Sequence, residues 1–173
     1  MTPTGRGWAI LAALALCAAP ALADGKPSVM GQDNSMFDRI RSLVGEWRGT
    51  TAEGKPVTIS YTLVSGGTAV MEHIGPGEEA DMVTMYYPDG RRLMMTHYCA
   101  GNNQPRMRAD DMPPDGKKLE FKFVDATNLK SPDMGHMEHL VLKFPDADHL
   151  TQEWTWVERG KGGTEVFNLE RAR

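Results

Sequence analysis

Cysteine is almost absent. The 173-residue chain has two, Cys17 and Cys99, and Cys17 lies in an N-terminal apolar run, so no internal disulfide is expected in a mature domain. Basic clusters are also missing. Nineteen Lys and Arg face 23 Asp and Glu, a formal net charge of −4. A mildly acidic chain without a basic patch argues against nucleic acid or an anionic membrane surface as partner. Long apolar runs are lacking too. The longest, Trp8–Ala19, falls short of the roughly 20 residues of a transmembrane helix, so stable membrane insertion is not expected. No internal repeat or low-complexity tract occurs.

Export signals are present. Arg6 precedes the apolar run, and Pro20 and the triplet Ala21-Leu22-Ala23 lead into the polar pair Asp24-Gly25. This order is that of a secretory signal peptide over 1–23, cleaved near Ala23, with a periplasmic or secreted destination. Lipidation at Cys17 is the competing reading, opposed by Leu16, where a small residue is normally required. Cleavage leaves 150 residues, and loss of Arg6 takes the net charge from −4 to −5. That length suits one domain with its own core. Cys99 then stands alone in an oxidising compartment, as a buried, reactive or intermolecularly paired thiol.

Residues 24–34 read as a flexible polar leader. The domain is expected over 35–173. Ser35 resembles a helix N-cap, and Phe37, Ile40, Leu43 and Val44 recur at helical spacing up to Gly45. From there the period becomes two. Val57, Ile59, Tyr61 and Leu63 alternate with Thr58, Ser60 and Thr62 until Ser65-Gly66-Gly67. Further strands are predicted at 46–51, 69–74, 82–87, 92–99, 104–109, 118–124, 136–144, 149–157 and 164–171, separated by Gly, Pro, Asn or Asp. About ten short strands with regular turns predict an all-β fold, a closed antiparallel up-and-down barrel with a short N-terminal helix. Closure removes adhesive sheet edges.

A helix, then Leu43-Val44-Gly45-Glu46-Trp47-Arg48-Gly49, then this meander resembles the calycin superfamily of lipocalin-like and fatty-acid-binding-like barrels, which includes haem-binding nitrobindins. The resemblance implies that Trp47 closes the barrel floor and that a basic residue of the last strand, Arg171 or Arg173, packs over it. The segments Met82–Tyr87, Thr96–Cys99, Asn103–Met107, Thr127–Leu129 and His136-Met137 resemble an uncharacterised family of secreted bacterial calycin-like proteins, which implies no particular activity.

The densest polar cluster is His97-Tyr98-Cys99 with Asn103, Gln104 and Arg106. Residues two apart on a strand share a face, so His97 and Cys99 are expected to project together. With that face inward they would anchor the polar head of a small, largely apolar ligand, alongside Asn103, Gln104 and Arg106. Tyr61, Met71, Met85, Phe121, Phe123, Trp154 and Trp156 would supply the wall. The plainer account makes His97 and Arg106 partners of backbone groups and Cys99 core. No catalytic residue is assigned: side chains two apart on a strand lie roughly 6–7 Å apart, and no oxyanion-hole motif accompanies them.

Two further readings stand beside ligand binding. Met134-Gly135-His136-Met137-Glu138-His139 has the soft donors that suit Cu(I), yet His136 and His139 would face opposite sides of a strand. Haem would need a lumenal histidine, with His73, His97, His136, His139 and His149 all eligible. No cofactor or metal ligand is assigned from sequence. A structural envelope protein with a filled lumen is the remaining alternative. Trp154-Thr155-Trp156 reads as packed wall or stacking platform, and Glu78-Glu79 and Asp110-Asp111 as solvated turns. The phase that faces inward and the oligomeric state stay open.

Overall fold

The computed structural model describes Met1, residues 35–75 and residues 81–173. The expected signal peptide, the leader, Cys17 and Glu78-Glu79 lie outside the described residues, Met1 apart. The chain divides into Met1–Gly31 and Gln32–Arg173, and the barrel belongs wholly to the second unit. No helix among the described residues is long and apolar enough to cross a membrane.

Helix α1 (Ser35–Arg41) precedes ten strands: β1 (Gly45–Thr51), β2 (Pro56–Val64), β3 (Ala69–Ile74), β4 (Met82–Asp89), β5 (Arg92–Tyr98), β6 (Gln104–Ala109), β7 (Lys118–Thr127), β8 (His136–Lys143), β9 (His149–Glu158) and β10 (Lys161–Arg171). Each pairs antiparallel with its neighbours in sequence, and β10 returns to β1, so the sheet closes without an edge. Trp47 stands opposite Arg171 and Thr51 opposite Phe167 along this seam. Gly49 is required there: a Cβ on it would lie 1.8 Å from the Asn168 carbonyl oxygen.

The alternation seen in sequence is the pleat itself. Val57, Ile59 and Tyr61 on β2, Leu93, Met95 and His97 on β5, and Leu150, Gln152 and Trp154 on β9 are all buried. Leu63 departs from the pattern: it is still paired with Val70 near the end of β2, yet 38% of the residue is exposed. Two register shifts re-aim side chains, between Arg106 and Met107 on β6 and between Met137 and His139 on β8. Such bulges bend a strand locally.

One end is shut by α1. The helix stops at Arg41, short of the expected Val44, because tighter backbone bonds from Leu43 to Ile40 and from Val44 to Arg41 end it. Phe37, Ile40 and Leu43 are buried over Trp47, which is 1% exposed. Trp47 Nε1 donates to the Leu43 carbonyl at 2.7 Å. Arg171 lies 4.4 Å from the centre of the Trp47 ring system and donates to the carbonyls of Val44 at 3.0 Å and Ser42 at 2.8 Å. A guanidinium over an indole is worth about 0.5–2 kcal/mol. Arg173 instead faces Asp148 at 3.8 Å. This half of the lumen is filled by side chains, among them Leu93, Leu119, Leu142 and Leu169.

Candidate functional site

Above the packed floor lies a belt of buried polar groups. Tyr61, Glu72, Thr84 and His97 come from β2, β3, β4 and β5, and each stands directly opposite the next across the sheet. Opposite residues in antiparallel strands have Cβ atoms only about 4.5–5.5 Å apart, so one rung of the barrel becomes a row of touching side chains. Tyr61 donates to Glu72 Oε1 at 2.7 Å and Tyr86 to Oε2 at 3.0 Å. Gln152, from the far wall, donates to Glu72 Oε1 at 2.5 Å and to the Tyr61 hydroxyl at 2.6 Å. The Gln152 carbonyl accepts from Trp154 Nε1 at 2.8 Å. Thr84 stands directly across the sheet from Glu72, helps hold its carboxyl pKa down, and lies 2.9 Å from His97 Nδ1.

Burial sets the electrostatics of this row. It raises the Glu72 carboxyl pKa, while the bonds from Tyr61, Thr84, Gln152 and Tyr86 hold it back. It also raises both tyrosines, reinforced by the nearby carboxylate. His97 moves the other way: burial lowers it from 6.5 to about 4, so the ring is neutral at physiological pH.

Beyond the rung, at the end away from α1, lies a cavity of about 210 Å³. Its walls include Ile74, Met82, Met137, Trp154 and Phe167, with His97 as buried polar member and Glu165 beside Trp154 on the neighbouring strand. The His97 ring sits 4.6 Å from Trp154, tilted by 40°. His97 Nε2 is buried and has no hydrogen-bond partner among the described residues. Other buried orphan atoms belong to Arg39, Asn103 and Arg108, none of which lines the cavity. Because Nδ1 turns to Thr84, Nε2 is the polar atom this lining ring has left. No protein-family model and no curated protein matches the chain.

Only some of the residues expected from sequence meet here. His97 and Trp154 do, and Tyr61 joins from the row below. Asn103 is buried at the rim, where Nδ2 donates to the Gly135 carbonyl at 2.8 Å. Trp156 covers the same rim, packed so closely that a Cβ on Gly135 would lie 2.1 Å from its ring. Cys99 lies just past β5 rather than on it. Its sulfur accepts from Gly101 N at 3.3 Å, and burial raises the thiol pKa, away from a reactive thiolate. Gln104 and Arg106 are not brought to the cavity. Gln104 accepts from Thr127 at 2.6 Å, and exposed Arg106 grips Asp125 through two bonds. The anchor expected over 97–106 is thus split, because Pro105 and Met107 take the inward positions of β6. Met71 and Met85 likewise pair with each other, one step out of phase with buried Glu72 and Thr84.

The metal-donor candidates disperse as well. His136 stacks on Phe123 at 4.9 Å and contacts the Met134 carbonyl, while His139 meets Glu120 at 3.1 Å. Among the described residues no three His, Cys, Asp or Glu side chains are grouped to hold an ion. A four-pyrrole macrocycle does not fit a 210 Å³ cavity, since an apolar cavity of about 150 Å³ already holds a single benzene. The belt residues missed from sequence left one trace: Glu72 sits between Val70 and Ile74, and Gln152 between Leu150 and Trp154, polar residues at core-phase positions.

Proposed function

We propose that the protein is an exported, calycin-like binding protein that takes a small, largely apolar ligand in its lumen, without catalysis. The kinship reading is supported by the Gly45-x-Trp47 entry into β1 and by Arg171 stacked on Trp47 at the closed end. The binding reading is carried by one observation, a buried nitrogen without a partner, on His97, in the wall of a mostly apolar cavity that Glu165 also lines. A buried polar atom left unpaired costs about 1–3 kcal/mol, and a ligand that completes the bond recovers it. The volume, about 210 Å³, lies between the benzene-sized case and the roughly 300–1,000 Å³ of drug-sized sites. It suits one or two fused rings.

Native mass spectrometry of the protein as isolated, followed by thermal unfolding with one- and two-ring aromatic compounds, tests this. A bound species of that size, or stabilisation by such compounds, is expected. At a hundredfold excess over Kd the gain is about 2.7 kcal/mol, roughly 5–11 °C for a domain of this size. No adduct and no shift across the panel would leave a lumen filled for stability alone.

A further inference from the structure

The lumen has a hydrogen-bonding polarity, set by the rung beneath it. Thr84 has one hydroxyl proton and two polar neighbours, Glu72 and His97 Nδ1. The other groups around Glu72 all present protons to it. Tyr61 and Tyr86 do so through hydroxyls, and Gln152 divides its two amide protons between Glu72 and the Tyr61 hydroxyl. With donors on both of its oxygens, the Glu72 carboxyl acts here as an acceptor, and it draws the Thr84 proton as well. The Thr84 oxygen then accepts from His97, so the ring proton sits on Nδ1. A neutral imidazole carries one proton, which leaves an unpartnered lone pair on Nε2 of a ring that lines the cavity. The neutral state of His97 agrees, because burial holds its pKa near 4.

Building on the lumen-binding reading, we propose that the site selects small apolar ligands that donate an N–H or O–H to His97 Nε2. Azoles, indoles and phenols belong to this class. Ketones, ethers and nitriles of the same shape, which only accept, do not. Glu72 and Thr84 act as positioning residues: they touch no ligand, yet they fix which ring nitrogen carries the proton. The cavity wall supports such a choice, because Trp154 Nε1 is already committed to Gln152 and offers no competing donor. An acceptor ligand would thus find no proton on either ring and would strand the Nε2 lone pair beneath it.

Two measurements on the intact domain separate this from the binding reading itself. The first is the 15N spectrum of the histidines at neutral pH without ligand. For His97 it is expected to show a protonated, pyrrole-type Nδ1 and an unprotonated, pyridine-type Nε2. In Thr84→Val this preference should weaken or reverse. A protonated Nε2 in the unaltered protein overturns the inference, whether or not anything binds. The second is calorimetric titration with indole against indene, rings of nearly one shape that differ in the N–H. Indole is expected to bind at least about tenfold more tightly, with the ratio falling toward one in Thr84→Val and His97→Leu while indene affinity changes little. Equal affinities in the unaltered protein overturn the selection. If neither compound binds, the lumen-binding reading and the selection that rests on it both fail, and the nitrogen spectrum still decides the tautomer.

Discussion

Glu72 and His97 share a rung through Thr84, and their burial has opposite consequences for stability against pH. His97 titrates near 4 in the fold and near 6.5 in the unfolded chain. Its contribution is therefore complete above pH 6.5 and is lost as pH falls from 6.5 to 4, because the unfolded chain takes up that proton first. The swing is about 3 kcal/mol at 1.36 kcal/mol per pKa unit. Glu72 is raised above its ordinary 4.5. Its contribution is present below 4.5 and is lost as pH rises toward its folded value. Between 4.5 and that value the two slopes cancel: the native protein keeps the proton on Glu72, the unfolded chain keeps it on His97, and the count is equal. Glu72→Gln removes one side of this balance. Stability of this variant should then climb by about 3 kcal/mol between pH 4 and 6.5, the uncancelled His97 swing, and more steeply than in the parent. His97→Gln should show the opposite change, a fall with rising pH above 4.5. Urea unfolding followed by tryptophan fluorescence at pH 4.5, 5.5 and 6.5 measures both, and Asp125, Asp146, Glu120 and His149 contribute alike to parent and variants. Parallel stability–pH curves for parent and Glu72→Gln would refute the reasoning.

Arg171→Met should cost about 2 kcal/mol and roughly 4–8 °C in Tm, since it strips the Trp47 ring of its cation and leaves the Val44 and Ser42 carbonyls short of a donor; calorimetry checks it. Gly135→Ala should displace the Trp156 ring and cost about 1–3 kcal/mol, visible as a shift in tryptophan emission and a lower urea midpoint. Cys99 should react with iodoacetamide at neutral pH more slowly than a free cysteine peptide, because its thiol is raised in pKa. Arg106→Ala, exposed and absent from the cavity wall, should leave ligand affinity unchanged in titration and the urea midpoint nearly so.

The barrel was legible because its information is local and periodic. Val57-x-Ile59-x-Tyr61 declares a strand with one wet face, and Ser65-Gly66-Gly67 declares the turn after it. The Trp47–Arg171 contact was legible from the resemblance, down to a choice between two arginines. Depth along the barrel was not legible. Arg106 lies nine residues from His97 in sequence and on the neighbouring strand, yet the pleat turns it outward, and Pro105 beside it takes the inward position. The polar belt escaped for the converse reason. Glu72, Thr84 and His97 belong to three strands, and only the register of β3, β4 and β5 places them in one row. Nothing in the spacing of 72, 84 and 97 sets that register, which follows from hairpin lengths and from the bulk of the core packed below.

The seam between β1 and β10 orders events in time. Synthesis delivers Trp47 long before Arg171, so the first strand waits without one of its partners until nearly the whole domain has been made. A loop of this span is slow to shut, and until it does, both strands carry bare backbone of the kind that joins chains to one another. Shortening the chain by even its last strand would therefore not trim the barrel but leave it permanently ajar. The arginine clasp over Trp47 can form only once the tenth strand meets the first, and it marks the vessel as sealed.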